Sequence, residues 1–459
     1  MSLKEITFLE SDSIKGVLKQ FNKTALQTDN YGFGIIVDAK GICIGVVTDG
    51  DVRRKIVKGM SLDAPIRLAT NFDFVYAYDT DTSHSILRHF DKKITILPVL
   101  DTEKRLVKIL KLSDLKASLN CGDLIIRARV PVRISYAGGG TDMSYYTAHN
   151  PGAVLSSTIS KYCTASVIVR EDKTINILSK DLGLKYQAQS LDNIKLGDKL
   201  DLIKAAIKIM QPTFGFDIET NSDIDAGTGL GGSSALTVAV IGALNYFRNE
   251  KQNDLYEIAD LSYQSERINL GISGGWQDQY STSFGGFNWI DFRKKDVLVN
   301  PLRIRREIIL ELKYNLMLFR FGGSHDSGHI QLENKRNFNS RDKEKMDIFS
   351  NMMTIAIEMK ESLLKGKVKN FGDLLNKSWQ LKKLFGKSTN PEIDLLYAIA
   401  LEEGALGGKV LGAGEAGYLI IYASPKYHKG IKDRFQHNGA TLEPFDYTDH
   451  GLEVWSTPR

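Results

Sequence analysis

At 459 residues the chain exceeds what one hydrophobic core ordinarily organises, so two or three domains are expected. Hydrophobic residues make up 42% and charged residues 25%, the balance of a soluble globular protein. The net charge of +5, from 60 basic and 55 acidic residues, is too small to call for a nucleic-acid partner.

The opening stretch, MSLKEITFLESDSIKG, carries charges throughout and lacks the apolar core of a signal peptide. The longest apolar run, Ala235 to Leu244, is far short of a membrane span, so no membrane partner is expected. Cys43, Cys121 and Cys163 are widely separated with no C-x-x-C spacing, which suggests a reducing, cytoplasmic setting and no zinc site. His325 and His329 lie four apart among glycines that argue against a shared helical face. Two short basic clusters, Arg53-Arg54-Lys55 and Arg303 with Arg305 and Arg306, have acids nearby and read as solvated faces.

In chain order, the first 120 residues repeat a pattern. YGFGIIVDAKGICIGVVTDGDVRRKI reads as strand, turn, strand, then a helix opening at an Asp-rich turn. KITILPVLDTEKRLVKILKLSDLKAS reads the same way, and helix-like stretches (Ser13 to Phe21, Ser83 to Phe90) precede both. An internal duplication follows. These residues resemble a tandem pair of cystathionine-β-synthase (CBS) domains over residues 1–120. In that family a G-x-x-[ST]-x-x-D signature contacts the ribose and phosphate of an adenine nucleotide; here it is Gly45-Val-Val-Thr48-Asp-Gly-Asp51. The resemblance implies a nucleotide site at Thr48 and Asp51, a regulatory role and a homodimer; read from the residues alone, the two equally suit a plain helix cap. In the second copy Lys108 and Lys111 replace the glycine and the hydroxyl residue, leaving Asp114, so one competent site is expected.

A boundary falls near SLNCGDL, residues 118–124, after which LIIRARVPVRISYAG restarts the chain as a strand. Further on, GTGLGGSSAL (227–236) matches G-x-G-x-x-G through Gly227, Gly229 and Gly232. A dinucleotide fold needs a buried parallel strand before such a loop and an acid ending a second strand after it. The preceding FGFDIETNSDIDA instead alternates polar with apolar, and one long helix follows. A second match, at Gly412, Gly414 and Gly417, runs into the strand-like YLIIYAS, and no Gly-Lys-Ser/Thr closes a Walker A loop. There remains a glycine loop whose amides, with Ser233 and Ser234 opening a helix, suit an oligophosphate.

PVRISYAGGGTD, AGTGLGGSSAL and GGKVLGAGEAGYLII stand in the order of the three motifs of the galactokinase, homoserine kinase, mevalonate kinase and phosphomevalonate kinase (GHMP) superfamily, which residues 123–459 resemble. GGGTD and GISGGWQDQYSTSFGGFN are similar to the bacterial heptose kinase branch. The chain departs from the family where Asp225 and Ala226 replace the usual prolines and where Glu415 and Ala416 interrupt the third glycine run. The fold implied is α+β: the CBS pair, then a two-lobed kinase. Its ribosomal-protein-like first lobe spans 123–300, and a ferredoxin-like C-terminal lobe spans 301–459.

The resemblance also implies roles in ATP-dependent phosphoryl transfer, which needs Mg2+, a cation and a group that orients the attacking hydroxyl. Asp278 matches the catalytic aspartate, with Arg133 beside it to steady negative charge. Gly227, Gly229, Leu230, Gly231, Gly232, Ser233 and Ser234 would hold the ATP phosphates. Glu266, twelve positions before Asp278, would bind magnesium together with Ser234. Gly139, Gly140, Thr141 and Asp142 would meet the sugar. The substrate implied is a sugar or sugar phosphate taken at its anomeric hydroxyl, foremost a heptose 7-phosphate. The alternatives are another small-molecule kinase of the superfamily (acting on fucose, galactose or an isoprenoid alcohol) or a non-catalytic sensing protein. Candidates to hold a second phosphate are Lys161, Arg267, His325 and Arg336.

Overall fold

The computed structural model describes residues 3–25, 32–81, 89, 94, 96–111, 124–225, 227–248, 252–294, 296–322, 343–386, 388–414 and 416–459. The chain divides into two compact units, Met1–Asn120 and Cys121–Arg459.

The first unit carries two three-stranded sheets of one design. Thr7–Leu9 runs parallel to Phe33–Val37, which pairs antiparallel with Cys43–Thr48. Ala77–Tyr78 runs parallel to Ile96–Leu100, which pairs antiparallel with Leu106–Lys111. Each antiparallel pair shifts register at the same place, between Ile36 and Val37 and between Val99 and Leu100, so Gly45 and Lys108 occupy equivalent positions. The intervening turns also match: Asp38 and Asp101 each bond two amides of their own turn. Gly41 (φ 81°) and Lys104 (φ 60°) fill the same left-handed position. The helix read over 83–90 and the residue Asp114 lie almost wholly outside the described residues.

Thr48 caps the helix Asp49–Val57. Asp51 Oδ2 accepts from the Thr48 amide (2.9 Å) and hydroxyl (2.6 Å), while the Asp51 amide donates back to Thr48 Oγ1 at 3.2 Å. Arg54 pairs with the other Asp51 oxygen, and Arg53 with Asp49. In this arrangement the two expected nucleotide ligands satisfy each other. Both arginines are exposed, in keeping with a solvated face.

The second unit opens on a long antiparallel pair, Leu124–Ala137 with Gly152–Val169, the centre of an eight-stranded sheet. Alternating apolar residues drive it: Val130, Val132, Ile134 and Tyr136 are all fully buried. The helix Gly232–Asn245 is apolar on nearly every side and buried along most of its length, as a helix enclosed by protein must be. A second, four-stranded antiparallel sheet is built from Leu316–Phe321, Ala405–Val410, Gly417–Ala423 and Thr441–Glu443. Numbered along the chain these lie in the order 2-3-1-4. The helices Lys343–Leu364, Asn370–Phe385 and Pro391–Glu402 fall between the first two strands, and Pro425–His437 between the last two. This is the β-α-β-β-α-β arrangement of a ferredoxin-like lobe.

One boundary differs from the sequence expectation. The terminal strand Glu453–Pro458 pairs with Leu124–Ala137, so the end of the 301–459 segment completes the first sheet. One apolar cluster also spans both lobes, from Ile126 to Ile420. Adjacency in the fold, which sequence order does not encode, decides both points.

Candidate active site

Arg133, near the end of Leu124–Ala137, is only 3% exposed, and its guanidinium joins two elements. Nε and Nη2 donate to Asp278 Oδ1 at 2.8 and 2.5 Å, and Nη1 donates to the Gly229 carbonyl at 2.6 Å. Asp278 stands in the first turn of the helix Gln277–Phe284 and remains partly accessible to the cleft. The structure thus brings the expected pair into direct contact and ties it to the glycine loop.

Asp142 is buried, 1% exposed. Oδ1 accepts from the Gly140 amide (2.9 Å) and Oδ2 from the Gln277 amide (3.2 Å). Burial is the main cause that pushes its carboxyl above the usual range; the two amides oppose that shift and the nearby Asp278 charge adds to it. Gly275 is dictated by this contact, since a Cβ there would lie 1.9 Å from Asp142 Oδ2. Gly139, Gly140 and Asp142 line the cleft together with Arg133 and Asp278. Thr141 does not. Its hydroxyl is fully buried, bonds the Gly138 carbonyl (2.8 Å) and the Ala153 amide (3.1 Å), and so holds the turn to the neighbouring strand.

The loop residues Gly227, Gly229, Gly231, Gly232, Ser233 and Ser234 line the same cleft. Leu230 is the exception: its side chain is fully buried in the core, and its carbonyl accepts from the Arg133 amide at 2.9 Å. Gly231 (φ 76°) caps the helix Gly232–Asn245, whose first amides face the cleft and suit an anion. Gly229 (φ 84°) answers to a further demand. A Cβ there would lie 2.3 Å from the Leu411 carbonyl, so the second glycine loop packs backbone to backbone on the third.

Ser234 and Glu266 meet the same helix. Glu266 is fully buried on a short π-helical turn, Gln264–Asn269. Its Oε1 accepts from Thr237 Oγ1 (3.0 Å) and Gln279 Nε2 (2.9 Å), and Thr237 also bonds the Ser234 carbonyl at 3.0 Å. Glu266 Oε2 and Ser234 Oγ have no hydrogen-bond partner among the described residues, although Arg267 Nη1 approaches Oε2 at 3.4 Å. A buried hydroxyl and carboxylate oxygen left open fit a hard divalent cation shared with nucleotide phosphates. Among the described residues no cluster of three His, Cys, Asp or Glu could hold a metal by itself.

The cleft also holds residues to which the motifs assigned no role. Lys382 lies on the helix Asn370–Phe385 and Lys409 in the strand Ala405–Val410, and both line the cleft. Lys409 Nζ donates to the Tyr136 carbonyl at 3.0 Å, and Lys382 Nζ to the carbonyls of Val410 (3.1 Å) and Gly412 (2.5 Å). Burial, with Arg133 nearby, pushes the Lys409 ammonium down to about 7, and burial beside Lys409 pushes Lys382 well down. Lys409 had a sequence signal, a lone charge between Gly407-Gly408 and Val410-Leu411; Lys382, in QLKKLF, had none. Of the second-phosphate candidates, Arg267 lines the cleft, whereas Lys161 is paired with Glu443 (2.8 Å). His325, Arg336 and the segment 323–342 lie outside the described residues, as does Glu415.

With this geometry in hand, residues 201–286 match the GHMP kinases N terminal domain and 359–439 the GHMP kinases C terminal domain. The chain belongs to the GHMP kinase family and is a sugar kinase. Among its relatives, D-glycero-alpha-D-manno-heptose 7-phosphate kinase of Campylobacter jejuni is 34% identical over 337 residues, 72% of this chain and 98% of that protein. L-fucokinase/L-fucose-1-P guanylyltransferase of Bacteroides fragilis is 28% identical, over 72% of this chain and 38% of that protein. A solved D-glycero-D-manno-heptose 1-phosphate kinase from Bacteroides thetaiotaomicron superposes with a TM-score of 0.60 at 29% identity, over 72% and 98% of the two chains. Among the described residues no helix is long and apolar enough to cross a membrane.

Proposed function

We propose that the second unit transfers the γ-phosphoryl group of ATP to the anomeric hydroxyl of a phosphorylated sugar. D-glycero-D-manno-heptose 7-phosphate is the preferred substrate and the 1,7-bisphosphate the product, feeding nucleotide-activated heptose synthesis. The observation that carries this is the Arg133–Asp278 pair, tied to the phosphate loop and lining one cleft with the buried Asp142, which accepts from the amide next to Asp278. The 34% identity to a kinase named for the same substrate supports the choice of sugar.

In this reading Asp278 takes the proton of the attacking hydroxyl while a bond forms from that oxygen to the γ-phosphorus; the bond to the β-phosphate oxygen breaks and ADP departs. Arg133 orients Asp278 and offsets charge on the transferring group. Asp142, held by two amides, accepts from sugar hydroxyls, and the Gly139–Gly140 backbone lies along the ring. Ser234 and Glu266 would hold Mg2+, which draws the phosphates together and neutralises charge developing at the leaving oxygen. An ATP-consumption screen over hexoses, heptoses and their terminal phosphates, with product position read by NMR, tests the proposal. Turnover confined to fucose or galactose favours the alternative supported by the fucokinase relative. Nucleotide binding with no turnover on any sugar favours a sensing role.

The first unit is read as a CBS pair, on the support of its duplicated topology. It is proposed to take an adenine nucleotide at the first repeat, at Thr48 and Asp51, to regulate the kinase, and to associate as a homodimer in the cytoplasm. Calorimetry on the full chain with AMP tests the nucleotide: a site that Asp51→Ala weakens strongly supports it, and no AMP binding, or binding that this substitution leaves unchanged, rejects it.

A further inference from the structure

Among the described residues four cations line the cleft: Arg267, which approaches Glu266 Oε2 at 3.4 Å, and the three of Arg133, Lys382 and Lys409. Arg133 is committed to Asp278 and to the Gly229 carbonyl. The hydrogen-bond partners of the two ammonium groups, among the described residues, are main-chain carbonyls alone. Burying an ammonium group with no counter-charge is expensive, and a methionine of similar length would avoid that cost. Two lysines held this way serve a ligand better than they serve the fold. A third group points to the same place. Ser135, two residues beyond Arg133, lines the cleft at 6% exposed, and its hydroxyl has no hydrogen-bond partner among the described residues.

We infer that Lys382, Lys409 and the Ser135 hydroxyl form a phosphate clamp on the second-lobe side of the cleft, distinct from the amides at the start of the helix Gly232–Asn245. Two ammonium donors, whose charged form a bound anion favours, and one neutral hydroxyl suit a compact dianion. The carbonyls of Tyr136, Val410 and Gly412 aim the ammonium groups, which leaves their remaining protons for the anion. The phosphate has two possible sources: the group the sugar already carries, or the terminal phosphoryl of the nucleotide as it is transferred. This inference deepens the kinase reading and rests on it for the choice of sugar, but not for the existence of an anion site.

The test uses the full chain with Lys382→Met, Lys409→Met and Ser135→Ala. Calorimetry with inorganic phosphate and with a non-hydrolysable ATP analogue is run beside kinetics on heptose 7-phosphate and unphosphorylated heptose. Affinity for inorganic phosphate is expected to fall about tenfold or more in each lysine variant and less in Ser135→Ala, with melting temperatures unchanged or raised. A KM for heptose 7-phosphate that rises about tenfold, with the KM for ATP and turnover of the unphosphorylated sugar held, assigns the clamp to the sugar's phosphate. A fall in kcat with both KM values held assigns it to the transferred group. Should a methionine variant fail to fold, Lys409→Gln keeps a donor to Tyr136 but no charge and makes the same comparison. Folded variants whose phosphate affinity, KM values and kcat stay within about twofold of wild type overturn the clamp. If no sugar is turned over at all, the kinase proposal fails by itself and the phosphate titration still decides this one.

Discussion

Two helix starts in this chain use the same residue types to opposite ends. At Thr48–Asp51 a hydroxyl and a carboxylate close on each other in a reciprocal cap, and Arg54 takes the remaining carboxylate oxygen. At Gly232–Ser234 the hydroxyl of Ser234 is buried without a hydrogen-bond partner among the described residues. So is Oε2 of Glu266, whose Oε1 bonds Thr237 on the next turn and whose Oε2 is approached by Arg267 Nη1 at 3.4 Å. An unmet buried polar group costs about 1–3 kcal/mol, so folding alone gives no reason to keep two. Open polar atoms occur elsewhere among the described residues as well, at Thr220 and Trp379 among others. What sets Ser234 and Glu266 apart is that Thr237 links them at a glycine-loop helix start on the cleft, while the satisfied atoms at Thr48–Asp51 form a cap.

The sharpest way to break the comparison is Asp278→Asn. Turnover should fall at least about 10²-fold while calorimetry still records binding of an ATP analogue; normal turnover would remove Asp278 from the chemistry. Next, Glu266→Gln and Ser234→Ala should raise the magnesium concentration needed for half-maximal rate about tenfold or more, read from a magnesium titration at fixed ATP. Unchanged magnesium dependence in both would return these residues to a structural role.

Backbone tests follow with smaller effects. Gly229→Ala forces a side chain into a left-handed position against the Leu411 carbonyl and should cost about 1–3 kcal/mol, read as a lower midpoint in denaturant. The counterpart Gly50→Ala, where the nearest atom to an added Cβ is 3.5 Å away and the backbone is helical, should be neutral or stabilise by up to about 1 kcal/mol. Equal losses at the two glycines would mean that the loop-on-loop packing does not set them apart. Smallest in its effect on rate, Asp51→Ala should remove the cap at about 1 kcal/mol, weaken AMP binding strongly and change kcat on the sugar only secondarily. AMP binding left as in wild type would make the first helix start a cap alone.

Much of the site could be read in the amino-acid order because its chemistry is local. Arg133 and Asp142 ride on one strand and its turn, Ser234 follows its own glycine loop, and the spacing from Glu266 to Asp278 spans one connection. The duplication in the first unit was legible for the same reason, since alternation and turn residues repeat along the chain. Roles that depend on side-chain direction were not legible. Thr141 and Leu230 sit inside correct motifs yet turn into the core, because the neighbouring strand and the buried face of the loop claim them.

Residue order by itself determined the alternation of strands and helices, the three glycine loops and the residue types available for phosphoryl transfer. Tertiary structure decided which of those residues meet. Gly229 needs its hydrogen because Leu411, 182 positions later, lies against it. Lys382 and Lys409 reach the cleft because the second sheet and its helices pack on the end of the strand that carries Arg133. The last strand returns to the first sheet for a related reason: Leu124–Ala137 offers it a row of unpaired backbone groups, which no local pattern at residues 453–458 announces.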